Sequence, residues 1–222
     1  MSKPKKIKKN YNCSDEKMHE EAKVKLNALK TNIVEFEAFD PKFTNEYVEI
    51  FSTKINSAQQ AVTDNVIIDQ LAGKTLVVEK AMKSCRKKYR SVKYFVESVL
   101  KDNNAVQNEF GFNDYKAARS TQIKMIAFFR QLGISAKRYQ TELVAAGMTV
   151  ESINEIDALG NQLNSANDDQ EDFKKQRTLL TQSRIKLNNE VYEIVKEIAR
   201  AGKIVFEDNP AKYAIYVLVD VK

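Results

Sequence analysis

From Val66 to Lys101 the chain carries no proline and a single glycine, and its apolar residues return every three or four positions. That period belongs to an α-helix. At 100° per residue with Lys80 as origin, Val77, Val78, Ala81, Met82, Cys85, Tyr89, Val92, Phe95, Val96, Val99 and Leu100 fall between about 60° and 200°. Lys80, Lys83, Arg86, Lys87, Arg90 and Lys93 occupy the arc from about 220° to 360°. One face is made for a core and the other for water or an anion. Lys88, at about 80°, stands inside the apolar arc. A helix of this kind gains most of its stability by laying its apolar face on other helices.

The remaining sequence supplies those helices. Six glycines and three prolines in 222 residues are too few to build the turns of a β-sandwich or barrel. Ser14, followed by Asp15 and Glu16, reads as the cap of a first helix whose apolar positions run to Phe36 and which ends at Asp40 and Pro41. Thr44 opens a second, carrying Tyr47, Val48, Phe51, Ile55, Ala58 and Val62, with a break at Thr63, Asp64 and Asn65. Beyond the long segment, a helix is expected from Asn113 to about Leu132, broken by Gly133, then a shorter one from Ser135 to Ala146 closed by Gly147 in a left-handed cap. Thr149 caps the next, and after a polar patch at Asn167 to Gln170 a long helix places Phe173, Leu180, Leu187 and Ile194 at coiled-coil spacing. Tyr213 to Val221 alternate as a strand would, but the repeat described next argues for helix to about Leu218. The expected fold is all-α: an up-and-down antiparallel bundle of long helices in a single domain over 14–222, after a disordered basic tail over 1–13.

An internal repeat organises these helices. An offset of 96 positions aligns Glu97, Val99, Ala105, Phe110, Asn113, Lys116 and Ala118 with Glu193, Val195, Ala201, Phe206, Asn209, Lys212 and Ala214. Phe43-Thr44 and Ile55-Asn56-Ser57-Ala58 resemble Met148-Thr149 and Leu163-Asn164-Ser165-Ala166 in the same order. Two related units follow, at about 15–132 and 134–219, each ending its long helix on FxxNxxK. In that signature Phe110 and Phe206 anchor the helix end, and Asn113 and Asn209 cap the next helix. The same offset sets Lys88 on Arg184, a second cation on an apolar face. As a pair they are either twin contacts for an anion or acidic partner, or long side chains that reach the rim or pair inside the bundle.

The formal charge of +6 is concentrated at Lys3, Lys5, Lys6, Lys8 and Lys9, which leaves the body of the chain near neutral. No apolar stretch follows those lysines as a secretory signal would require, and the longest apolar run, Tyr213 to Val219, is far too short to span a bilayer. A cytoplasmic chain without a transmembrane segment is expected. Cys13 and Cys85 are no disulfide framework and read as free thiols.

Catalytic signatures are mostly lacking. Gly73-Lys74-Thr75 resembles the end of a phosphate-binding loop, but Ile68 stands where its first glycine belongs, so Gly73 reads instead as a close contact or irregular turn. Glu16 and His19 have the spacing of a di-iron ligand pair, yet such sites need two pairs and His19 is the sole histidine. No cofactor or metal is expected, and an enzyme is the minority reading. The favoured reading is a structural or protein-interaction module that binds a protein partner or its own copy. The alternatives are a nucleic-acid or anionic-surface binder using the lysine tail and the basic face, and a bundle holding a small ligand. That face has little acid between Lys80 and Lys93, and it reads as lacking interleaved aromatics.

Overall fold

The computed structural model describes residues 6–218. Among them it is wholly helical: α1 (Asp15–Thr31), α2 (Ile33–Phe39), α3 (Asn45–Gln59), α4 (Asp64–Val99), α5 (Asn104–Glu109), α6 (Tyr115–Ala118), α7 (Gln122–Arg138), α8 (Gln140–Ala145), α9 (Val150–Val205) and α10 (Pro210–Ile215). Two compact units divide the chain, one of Met1–Val66 with Arg177–Lys222 and the other of Ile67–Gln176. The boundary expected between the two repeat units of the single domain, near residue 133, lies within α7.

The first unit packs α1 on α3, with the end of α9 and α10 completing its core. Met18, Leu29, Phe36, Phe51, Ile55, Val195, Ile198 and Tyr216 are fully buried there. Phe36 meets Phe43 edge-on at 5.1 Å, and Phe206 stacks on Tyr216 at 5.6 Å and 12°. The single first helix expected to run to Asp40 is two. It stops at Asn32, whose backbone N–H and side-chain Nδ2 both donate back to the Ala28 carbonyl, so a local amide contact replaces the next helical turn. Of the expected tail, Lys3 and Lys5 lie outside the described residues. Residues 7–11 run along α9: the Ile7 N–H donates to Gln182 at 2.6 Å, the Asn10 N–H to Asn189 at 3.1 Å, and Tyr11 is buried against Tyr192.

In the second unit α4 and the first half of α9 run antiparallel. Thr75 accepts from Gln170 (2.8 Å), the Cys85 thiol points at the Leu159 carbonyl (3.7 Å), and Lys88 pairs with Glu155 (2.5 Å). The core between these helices and α7 holds Cys85, Val92, Val96, Met125, Phe129, Leu132, Ile156 and Leu163. The helix expected over Asn113 to Leu132 is interrupted at residues 119–121, because the Thr121 hydroxyl accepts from the Lys124 N–H and starts α7 afresh. Gly133 does not end that helix; it is an interior residue of α7, packed beside Asp157. Gly147 has the left-handed φ of 97° expected of it, and Thr149 accepts from the Ser152 N–H at 3.1 Å.

Three further expectations change. The polar patch at Asn167 to Gln170 is interior to α9, where Gln170 is buried and bonded to Thr75 rather than marking a break. Gly73 lies in regular helix with open space around it, so the close contact expected there is absent. Near the C-terminus the helix stops at Ile215, three residues short, as the chain turns to bury Tyr216. The last expected residues, Val219 and Val221, lie outside the described ones.

Candidate functional site

The long α4 sets its side chains by its own geometry. Most of its apolar arc is buried in the second core, with Val77 and Val99 left exposed, and Lys80, Lys83, Arg86, Lys87 and Arg90 are exposed along the opposite side. Lys93 is half-buried; it pairs with Glu97 at 3.5 Å and lies over the Phe112 ring at 4.8 Å. The chain that returns through α5 and α6 brings two more cations to this face. Lys83, Arg86, Arg90, Tyr115, Lys116, Arg119 and Ser120 line a cleft of about 490 Å³ with no carboxylate in its wall. The Arg86 guanidinium donates to the Arg119 carbonyl at 3.2 Å and ties α4 to the end of α6. Tyr115 stacks on buried Tyr89 at 4.0 Å and 25°, and Tyr89 meets Phe128 edge-on, so aromatic packing holds the cleft wall.

Among the described residues no carboxylate lies within ion-pair distance of Lys80, Lys83, Arg86, Lys87, Arg90, Lys116 or Arg119. Elsewhere some surface lysines are paired, as Lys42 with Glu197 (2.7 Å) and Lys54 with Glu190 (2.7 Å), whereas Lys23, Lys30 and Lys124 are in no ion pair among the described residues either. No aromatic is interleaved between Lys80 and Lys93 on this face, but Tyr94, directly after Lys93, is 68% exposed. It stands at about 320° on the α4 wheel, among the cations. That position can be calculated from the sequence. Lys116 is legible there only as part of the repeat signature, and Arg119 carries no signal, because the turn that brings both back to α4 has no periodic pattern.

The two cations on apolar faces are both buried beside acids. Lys88 Nζ donates to Ser152 Oγ (2.7 Å) and Glu155 (2.5 Å). Arg184 donates to Asp64 (2.6 Å), lies 3.4 Å from Asp15, and reaches the Val62 carbonyl at 3.4 Å. The Arg184 hydrogen bond holds the Asp64 carboxyl below its ordinary value. Nearby, His19 Nε2 lies 2.8 Å from Asn188 Oδ1, and Glu16 and His19 are joined by no third ligand: among the described residues no group of three acid, cysteine or histidine side chains gathers.

In the repeat signature, Phe110 and Phe206 are buried. Asn209 accepts from the Lys212 N–H at 3.1 Å, and Lys212 Nζ lies over the Phe206 ring at 4.6 Å. Asn113 departs from the expected cap. Gly111, at φ 74°, takes the Asp114 and Tyr115 N–H groups on its carbonyl, and the Asn113 amide turns to Asn108 instead. Cys13 and Cys85 are free thiols, and burial pushes Cys85 up to about 12, far from a reactive thiolate.

No family model, no curated protein and no solved structure matches this chain. No helix among the described residues is long and apolar enough to cross a membrane.

Proposed function

We propose that the protein is a helical interaction module whose working surface is the basic face of α4, completed by Lys116 and Arg119, and whose partner is an extended polyanion. The observation that carries this reading is the cleft itself: cations from two helical elements line it with no carboxylate in its wall, although Glu79 stands on the same arc of α4 beside Lys80. A face needed only for solubility is served by mixed charges, whereas like charges packed together repel one another and attract a polyanion at a distance. The test uses the full chain on immobilised heparin, a polyanion without bases. Replacing Lys83, Arg86, Arg90 and Arg119 by Gln abolishes retention in this account, while replacing Lys3, Lys5, Lys6 and Lys8 by Gln leaves most of it. Retention that follows the tail and ignores the face overturns the assignment.

We also infer that the two units are copies of one segment in interleaved order. The second unit reads long helix, Phe110 turn, α7, α8, then the Thr149-capped start of α9. The first unit, begun at its later segment, reads the end of α9, Phe206 turn, α1, α2, then the Thr44-capped α3. Thr44 and Thr149 each accept from the N–H three residues on, which supports the correspondence. Superposing α1 to α3 of an experimental structure on α7, α8 and the start of α9 tests it; unrelated helix directions refute it.

A further inference from the structure

The exposed side of α4 is not only basic; it is a single ridge that ends on an aromatic ring. Lys80, Lys83, Lys87, Arg90 and Tyr94 follow one another at steps of three and four, the spacing that keeps side chains on one line of a helix. The ridge is about 20 Å long at 1.5 Å per residue. Six stacked nucleotides at about 3.4 Å each occupy the same length. Tyr94 is 68% exposed and has its edge-to-face neighbour, Phe95, at 5.4 Å, so one face of its ring can take a flat partner.

We propose that the ligand of this face is single-stranded nucleic acid: the ridge and the α4–α6 cleft track its phosphates, and a base stacks on Tyr94. The proposal rests on the polyanion reading above and names its partner. Three features select this class. The cations include Arg86, Arg90 and Arg119, whose planar forks suit phosphate oxygens. The cleft is concave, as a backbone channel is and as a flat anionic bilayer is not. The aromatic lies on the line of charge, the combination by which single strands are held without sequence preference. A duplex hides its base faces and cannot use Tyr94.

The experiment is fluorescence anisotropy of the full chain with a fluorescein-labelled 12-mer oligouridylate, at low and moderate salt. The chain binds the single strand more tightly than a duplex of equal length. Tyr94→Ala weakens single-strand binding by about fivefold or more, Tyr94→Phe restores it, and neither changes duplex or heparin binding. Because Tyr94 is exposed, both variants keep the parent's thermal melt, which is measured alongside. Equal affinity of wild type and Tyr94→Ala for the oligonucleotide, with the arginine variants still losing heparin, overturns the nucleic-acid inference and leaves the polyanion reading standing. Tighter binding to phosphatidylserine vesicles than to the oligonucleotide also overturns it. Loss of every interaction, heparin included, removes both.

Discussion

Replacing Gly202 by Ala inverts the usual effect of that substitution in a helix. Gly202 lies in the last turns of α9, where alanine normally gains up to about 1 kcal/mol over glycine. Here a methyl group on its Cα would overlap Cγ and Cδ1 of the Tyr216 ring and stand 2.7 Å from Cδ2. The ring has nowhere to go. It is fully buried between Phe36 and Phe206, its hydroxyl donates to the Ala28 carbonyl at 3.2 Å and accepts from Asn32 at 3.3 Å, and burial pushes the phenol up to about 12. Overpacking of this kind costs about 1–3 kcal/mol, so the net change is a destabilisation of roughly 1–2 kcal/mol. Urea unfolding reads it as a lower midpoint at unchanged slope. Gly73→Ala is the control, since nothing lies within 4 Å of the added methyl; it raises stability by about 0.5–1 kcal/mol. In a Tyr216→Ala background Gly202→Ala turns neutral or stabilising. A raised midpoint for Gly202→Ala alone refutes the packing described for the first core.

Two other outcomes follow from buried and paired charge. Lys25 is 1% exposed, pairs with Glu21 and donates to the Ile215 carbonyl at the end of α10 (2.6 Å); Lys25→Ala strands that carbonyl and lowers stability by about 2–3 kcal/mol in urea titration, while Lys25→Met, which keeps the packed stem, costs less. Arg184 holds Asp64 ionised, with the folded value below the unfolded one; this contribution is complete above the ordinary carboxyl range near 4 and disappears as pH falls through the lowered value. Asp64 is more than half exposed, so the contribution is below about 1 kcal/mol. Asp64→Asn therefore melts below wild type at pH 7 and level with it near pH 2, and a gap that widens in acid contradicts the assignment.

Periodicity makes the long elements legible. From Val78 to Val96 the arc the wheel assigns to α4 is buried or half-buried, as spacing dictates, while Val77 and Val99 of the same arc are exposed. Caps are readable where the residue and the geometry are both local, as at Ser14, Thr44 and Thr149. Breaks are not. Gly133 and Asn32 exchange the roles the sequence suggests, since a glycine ends a helix only when the chain needs a left-handed residue, and an asparagine can end one by folding its amide onto the preceding turn. Lys25 shares the face of Met18, Ala22 and Leu29, yet its partner, a carbonyl 190 residues away, leaves no trace in local pattern. Tyr94 is hidden for a different reason: a tyrosine in an apolar-rich helix reads as core until its angle is worked out.

The most direct measurement of the central claim is the salt dependence of oligonucleotide binding, with and without Arg86, Arg90 and Arg119. Each phosphate that no longer has a cation beside it flattens the slope of log K against log salt concentration by about 0.7 on a single strand. The account predicts a slope about 2 units shallower when all three arginines become glutamine. A slope that stays the same would mean that the phosphates lie elsewhere and that the basic face of α4 is only a solvated surface.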